Sequence, residues 1–394
     1  MLIHAERALI DGRIERDVRV RVEAGRIADV TVGGVPGETP GEASGLGASQ
    51  TPDVHLTSGV LTPGLLDVQN NGSFGADFAD AGAQQWRTVL DGLARRGVTA
   101  VQPTVITAPP AELHGAFERV LAAQRTHDGQ ARARVLGAHL EGPFISPERK
   151  GAHRVECMLD PTGENLAAVL DHEAARAIVT TVTLAPELPH ALEAIAAIAA
   201  RGIVVAVGHS DATAAQVRAA GDAGATMTTH IFNAQRPLSH REPGVPGAVL
   251  ADERFHVGTI IDGLHLDPTT VRLVRMAAPD RWVGVTDAIV TAGLPPGTPL
   301  TFGGQGVMND DEGLGRRQDG TIAGAGIVLD EGVRRMIAAG LEPEAVLTAC
   351  TRTAADSVRR DDLGRLAAGG LADLVWWDEH WFPQRVWVGG RDVA

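Results

Sequence analysis

Eight short apolar runs, separated by Ala-rich stretches, fill the middle of the chain and restrict it to very few architectures. The runs cover 60–67, 100–105, 135–141, 178–184, 203–208, 226–230, 257–261 and 282–286. Continuous apolar character, without alternation, suits strands buried on both faces of a parallel sheet. Helical stretches are expected between them at 84–96, 111–124, 189–201, 212–220 and 268–278, and prolines open two of these, where a missing N–H costs nothing. Eight strand–helix units predict the α/β class and a closed (β/α)8 barrel of the TIM-barrel kind. Residues 288–320 are rich in Gly and Pro and too long for an idle connection, which predicts a hairpin or lid. Two more helices, 327–339 and 342–355, are expected to complete the barrel.

The flanks read differently. Residues 8–32 alternate apolar and polar side chains around turn signals, and so do 371–377 and 385–390. Both ends of the chain are therefore expected to build one small β-sandwich beside the barrel. The predicted division is 1–58 and 361–394 for the sandwich and 59–360 for the barrel. Residues 33–52, rich in Gly, Pro, Ser and Thr, read as a loop.

Composition excludes several roles. A formal charge of -14 argues against binding nucleic acid or an anionic membrane, since phosphate contacts need a basic face. The opening residues carry Glu6, Arg7, Asp11, Arg13, Glu15 and Arg16, so they hold no signal-peptide core, and no apolar run approaches the ~20 residues of a spanning helix. Cytoplasm is the expected compartment. Cys157 and Cys350 lie far apart and in no paired motif, against both a disulfide framework and a thiolate zinc site. Lys150 is the single lysine among 35 basic residues.

Four residues end strand-like runs: Glu141, His209, His230 and Asp287. In a closed barrel such ends meet on one rim. Taken singly, each has a plainer reading: a salt bridge for Glu141, a core or supporting imidazole for each histidine, a helix cap for Asp287. Together, one carboxylate and two imidazoles make an open site for one divalent ion, Zn2+ first and Fe2+ as the alternative, with a position left for water. Asp287, adjacent across the closed barrel, is placed to take a proton from that water. Gln69 and Asn71 alternate with Asp67 along the first strand end and read as a hydrogen-bonded amide ladder, because amides are weak ligands. His139 shares the face of Glu141, with a buried, satisfied imidazole and a functional one equally open.

Polar loops follow these strands: Lys150-Gly-Ala-His153, Asn233-Ala-Gln-Arg-Pro, Arg241-Glu-Pro-Gly and Asp262-Gly-Leu-His265. Arg241 and His265 are candidates for the local cationic pocket that an acidic protein needs to hold a phosphoryl group. A solvated surface arginine is the common alternative.

The ordered set Pro-Gly-Leu-Leu-Asp-Val-Gln-Asn-Asn-Gly, His-Leu-Glu-Gly-Pro-Phe, Lys-Gly-Ala-His, Gly-His-Ser, Thr-His-Ile-Phe-Asn-Ala, Arg-Glu-Pro-Gly, Asp-Gly-Leu-His and Val-Thr-Asp-Ala spans nearly the whole chain. It resembles the N-acetylglucosamine-6-phosphate deacetylases of the amidohydrolase superfamily. The resemblance implies metal-dependent hydrolysis of N-acetyl-D-glucosamine 6-phosphate to D-glucosamine 6-phosphate and acetate, a step of amino-sugar catabolism. It implies one ion held by Glu141, His209 and His230, with Asp287 as general base and acid. Gln69 and Asn71 stand where many members carry the histidines of a second metal. Ala152, His153, Asn233, Ala234, Arg241, Asp262, Gly263, Leu264, His265, Ile322, Ala323 and Gly324 would bind substrate, with Arg241 and His265 donated across a homodimer interface as in relatives. The chain departs from the family at Ile322-Ala-Gly-Ala-Gly-Ile327, which lacks the usual serine, and at Cys350-Thr-Arg-Thr-Ala-Ala, which lacks an Asn-Pro-Ala style turn. The rival readings are an amidohydrolase acting on another N-acyl amino sugar, an N-acyl amino acid or a cyclic amide, and a non-catalytic sugar-phosphate sensor.

Overall fold

The computed structural model describes residues 1–33, 51–126 and 130–394, so most of the loop expected at 33–52 lies outside the described residues. Eight parallel strands form the barrel: Leu65–Asn70, Val98–Ile106, Ala138–Glu141, Val179–Leu184, Val204–Val207, Met227–Thr228, His256–Ile260 and Trp282–Val285. Each pairs in parallel with the next. The ring closes just past the last strand, where the Asp287 N–H donates to the Gln69 carbonyl and the Asn71 N–H to that of Ala288. Leu66, Val68, Ala100, Ala206, Met227, Ile260, Val283 and Val285 fill the barrel floor. Nearer the rim the lining turns polar, with His139 Nε2 2.7 Å from Thr183 Oγ1 and Thr183 2.6 Å from Thr229. His139 is thus a satisfied core imidazole.

Several strand and helix bounds differ from the expectation, three of them by a split or a late start. The run at 60–67 is split: Val60–Pro63 pairs antiparallel with Leu374–Trp377 in the terminal sheet, and only Leu65–Asn70 enters the barrel. The break falls at Gly64, where a Cβ would meet Thr99 Oγ1 at 1.9 Å, so only glycine fits the crossing. The helix expected from 189 begins at Ala191, after His190 in the left-handed region at φ 65°. The helix expected at 342–355 is two, Pro343–Ala349 and Arg352–Ser357. Between them the Thr351 hydroxyl donates back to the Leu347 carbonyl at 2.7 Å, a bond that competes with regular helix.

Both ends of the chain meet in one module, as expected. Hydrogen bonding runs through eight strands of a single sheet, which closes on itself at an Arg26–Leu371 bridge around Ile3, Val18, Val20, Leu61, Leu374 and Trp387. Arg134 ties it to the barrel through a two-pronged pair with buried Asp373, at 2.7 and 3.1 Å. The stretch after the last barrel strand is a four-stranded antiparallel sheet, Leu300–Phe302, Gln305–Asn309, Leu314–Arg317 and Ile322–Ala325. It packs Phe302 and Val307 against Ile289 and Val290 and covers the rim as a lid.

Asp67 locks the closure. Buried in the first strand, its carboxylate accepts from Thr286 Oγ1 at 2.6 Å, from Thr286 N at 3.2 Å and from Asn70 Nδ2 at 2.9 Å. Burial pushes its carboxyl up to about 6, and these hydrogen bonds only partly offset that. An acid whose pKa is higher folded than unfolded contributes stability below ~4 that is lost as pH rises through the folded value. Relative to Asp67→Asn, the natural chain should lose about 3 kcal/mol of unfolding free energy between about pH 4 and pH 7. Urea titrations of both proteins across that range check this; a difference that is flat, or that grows with pH, contradicts it.

Candidate active site

The rim residues owe their direction to the backbone. His209 (φ 46°), His230 (φ 27°) and Asp287 (φ 51°) all adopt the left-handed conformation two residues past the end of a barrel strand. That conformation disfavours side-chain-bearing residues by roughly 1–2 kcal/mol each. It turns the chain out of the sheet while the side chain stays over the barrel mouth. Glu141 ends the third strand in ordinary extended geometry, two residues beyond His139 on the same face.

The four residues meet. Glu141 Oε1 lies 3.1 Å from His209 Nε2 and 2.8 Å from His230 Nε2, and the two Nε2 atoms are 3.1 Å apart. Ligands about 2 Å from a tetrahedral zinc lie about 3.3 Å from one another, so this triangle fits one small divalent ion. The tautomer of His209 suits it too: Nδ1–H donates to the Arg149 carbonyl at 2.8 Å, leaving the Nε2 lone pair free. Arg149 is itself held by Asp211, at 2.8 and 2.7 Å, so a carboxylate two residues past His209 fixes the carbonyl that orients its ring.

Electrostatics follow from burial and proximity. Burial alone would raise Glu141; the hydrogen bonds and charges of His209 and His230 outweigh it and hold the carboxyl well below its usual range. Burial opposes a charge on His230, but the bond to Glu141 and the charges of Glu141 and Asp287 push it up to about 9. Asp287 goes up to about 6 through burial and the nearby charge of Glu141. It accepts from Asn71 Nδ2 at 2.8 Å and from Gln69 Nε2 at 3.2 Å. The Gln69 amide also lies 3.5 Å from Glu141 Oε1. The expected amide ladder is therefore a pair of donors steadying two carboxylates.

A cavity of about 190 Å3 opens above this cluster. Of the residues expected to bind substrate, Ala152, His153, Asn233, Ala234, His265, Ile322, Ala323 and Gly324 line it. Asp262, Gly263, Leu264 and Arg241 do not. Asp262 stands behind His265: its Oδ2 is 2.6 Å from Nδ1, and its Oδ1 accepts from the backbone of Leu264 and His265. Arg241 is exposed on the loop after Asn233, outside the pocket of its own chain. Sequence reasoning missed Ile106, Phe302 and Ile260 in the wall, whose apolar character announces no role, and Thr107, which touches His153. His153 is buried, and burial and His209 push its imidazole down to about 3. A cavity of about 200 Å3 between helices Ala83–Arg95 and Pro110–Arg125 has no carboxylate or imidazole in its described wall.

Comparison with known proteins agrees with this geometry. Residues 60–393 match the family model described as Amidohydrolase family. The N-acetylglucosamine-6-phosphate deacetylase of Danio rerio is 36% identical over 350 residues, covering 85% of this chain and 84% of that protein. The N-acetylgalactosamine-6-phosphate deacetylase of Escherichia coli O157:H7 is also 36% identical, over 341 residues, covering 84% and 87%. A mutant of N-acetyl-D-glucosamine-6-phosphate deacetylase from Mycobacterium smegmatis, solved in complex with N-acetyl-D-glucosamine-6-phosphate, superposes with a TM-score of 0.89 at 32% identity and covers 100% of this chain and 99% of its own. With the metal-site geometry in place and the match running from residue 60 to residue 393, this chain belongs to the amidohydrolase family.

Proposed function

We propose that the chain removes the acetyl group from N-acetyl-D-glucosamine 6-phosphate, giving D-glucosamine 6-phosphate and acetate, with one Zn2+ held by Glu141, His209 and His230. The carrying observation is the convergence of those three side chains beneath a cavity that Asp287 and His153 also face. The relatives named above supply the substrate class.

A divalent ion bound there supplies Lewis acidity toward water and the acyl carbonyl. Asp287, steadied by Asn71 and Gln69, takes the proton of the attacking water and returns it to the leaving nitrogen as the amide bond breaks. An amine expelled unprotonated would be a poor leaving group, so one carboxyl acts twice. His153 stands beside the acyl oxygen. Asn233, the Ala234 backbone and His265 line the cavity as ligands for the sugar phosphate. Arg241, exposed and outside the lining of its own chain's pocket, suits donation to a second copy in a homodimer. Among the described residues no helix is long and apolar enough to cross a membrane; a cytoplasmic location is part of this proposal. The relative named N-acetylgalactosamine-6-phosphate deacetylase, at equal identity, supports a second reading on the same chemistry, the C4 epimer as substrate.

Acetate release from the two phosphorylated epimers, and from unphosphorylated N-acetylglucosamine, tests this. The glucosamine 6-phosphate derivative should give the highest kcat/KM, and chelation should abolish turnover until metal is restored; turnover that survives chelation refutes the metal role. Asp287→Asn should keep the ion, measured by elemental analysis, yet lose about 1000-fold or more in kcat. His209→Ala and His230→Ala should each lose the ion; full metal content in either would remove that ligand from the set.

A further inference from the structure

Thr107 follows the second barrel strand and puts two groups against one nitrogen of His153. Its hydroxyl lies 2.8 Å from His153 Nδ1, and its backbone N–H points at the same atom from 3.4 Å. A backbone N–H can only donate, so the atom it faces offers a lone pair and not a second hydrogen. The hydroxyl has two acceptors within reach, this Nδ1 and the Glu141 carbonyl at 3.2 Å. The shorter contact, to a nitrogen already offering its lone pair, takes the hydrogen.

A neutral imidazole carries one ring hydrogen, and with Nδ1 accepting, that hydrogen sits on Nε2. Nε2 has no hydrogen-bond partner among the described residues, yet it is not one of the sealed, unpartnered atoms; it opens to the cavity that His153 lines. We propose that Thr107 is a positioning residue that holds His153 in its Nε2–H tautomer, so that a donor and not a lone pair meets the acyl oxygen of the substrate. The inference rests on the deacetylase reading given above.

The tautomer has two consequences. A donor aimed at the acyl oxygen stabilises the negative charge that builds there as water adds, whereas a lone pair would repel it. The second concerns the ion. One nitrogen of His153 lies within 4.8 Å of the ligand atoms of Glu141 and His209, close enough to join the ligand set. With Nδ1 engaged by Thr107 and Nε2 protonated, neither nitrogen has a lone pair to give, and a coordination position stays open for the reaction.

The test is Thr107→Val, which removes the hydroxyl at nearly constant shape, beside Thr107→Ser, which keeps it. Nitrogen-15 spectra of the zinc-loaded protein labelled at histidine, with the His153 signals identified by their loss in His153→Asn, read the tautomer directly. The natural protein should show His153 protonated at Nε2. Thr107→Val should shift the signals toward the Nδ1–H or a mixed form and lower kcat by about 10-fold or more at unchanged metal content and near-constant KM. Thr107→Ser should restore both. A His153 protonated at Nδ1 in the natural protein overturns the proposal, and so does a valine variant with unaltered tautomer and turnover. If the valine variant does not fold, the spectrum of the natural protein decides alone. If the natural protein releases no acetate from any hexosamine 6-phosphate, the substrate reading fails, while the spectrum still settles the role of Thr107.

Discussion

The seam between the first and last barrel strands governs the chemistry. Glu141, His209 and His230 lie at the ends of the third, fifth and sixth strands, on one side of the ring. Asp287 follows the eighth strand, at the seam itself. It reaches them because the Asp287 N–H bonds to the Gln69 carbonyl and the Thr286 hydroxyl to Asp67, which bring the eighth strand round to the first. The same seam delivers the Gln69 and Asn71 amides to the Asp287 carboxylate. Ring closure and the placing of Asp287 beside the Glu141, His209 and His230 cluster thus depend on the same contacts.

Closing the ring concentrates cost as well as function. Three site residues hold left-handed backbone, and Glu141, His153, His209 and His230 are all buried polar groups, with Asp287 half-buried beside them. Isolated, each would be expensive to desolvate. Packed together, they offset one another: imidazoles hold Glu141 ionised, amides steady Asp287, and a threonine serves His153. The arrangement is rigid because few of these contacts can change without orphaning a neighbour, and rigidity is what a site must have to present a proton acceptor and a donor at fixed places.

Much of this was legible in the residue order. Apolar runs placed the eight strands, and polar residues ending those runs named Glu141, His209, His230 and Asp287, since strand ends are where a barrel exposes functional side chains. What the order could not reveal depends on approach in space. The run at 60–67 is uniformly apolar, and the split between sheet and barrel arises from a single close crossing at Gly64 against Thr99. Gln69 and Asn71 gave their residue types but not the direction of their amides, which is set by carboxylates more than 70 residues away in sequence. Thr107 carried no mark at all, because its role lies in which atom its hydroxyl meets. Arg241 reads as a phosphate ligand from its motif, yet its own chain leaves it at the surface.

The sheet that joins both ends of the chain bears on how the protein is made. Leu2–Ile10, Arg13–Glu23 and Val60–Pro63 leave the ribosome early, but the strand that pairs with Val60–Pro63, Leu374–Trp377, is translated more than 300 residues later. Through that interval the Val60–Pro63 edge waits without its neighbour while the barrel is synthesised beside it, and an unpaired apolar edge invites association with other chains. Completion of the module is thereby tied to the last stretch of translation, and nascent chains released before Leu374 are the ones most exposed to misassembly.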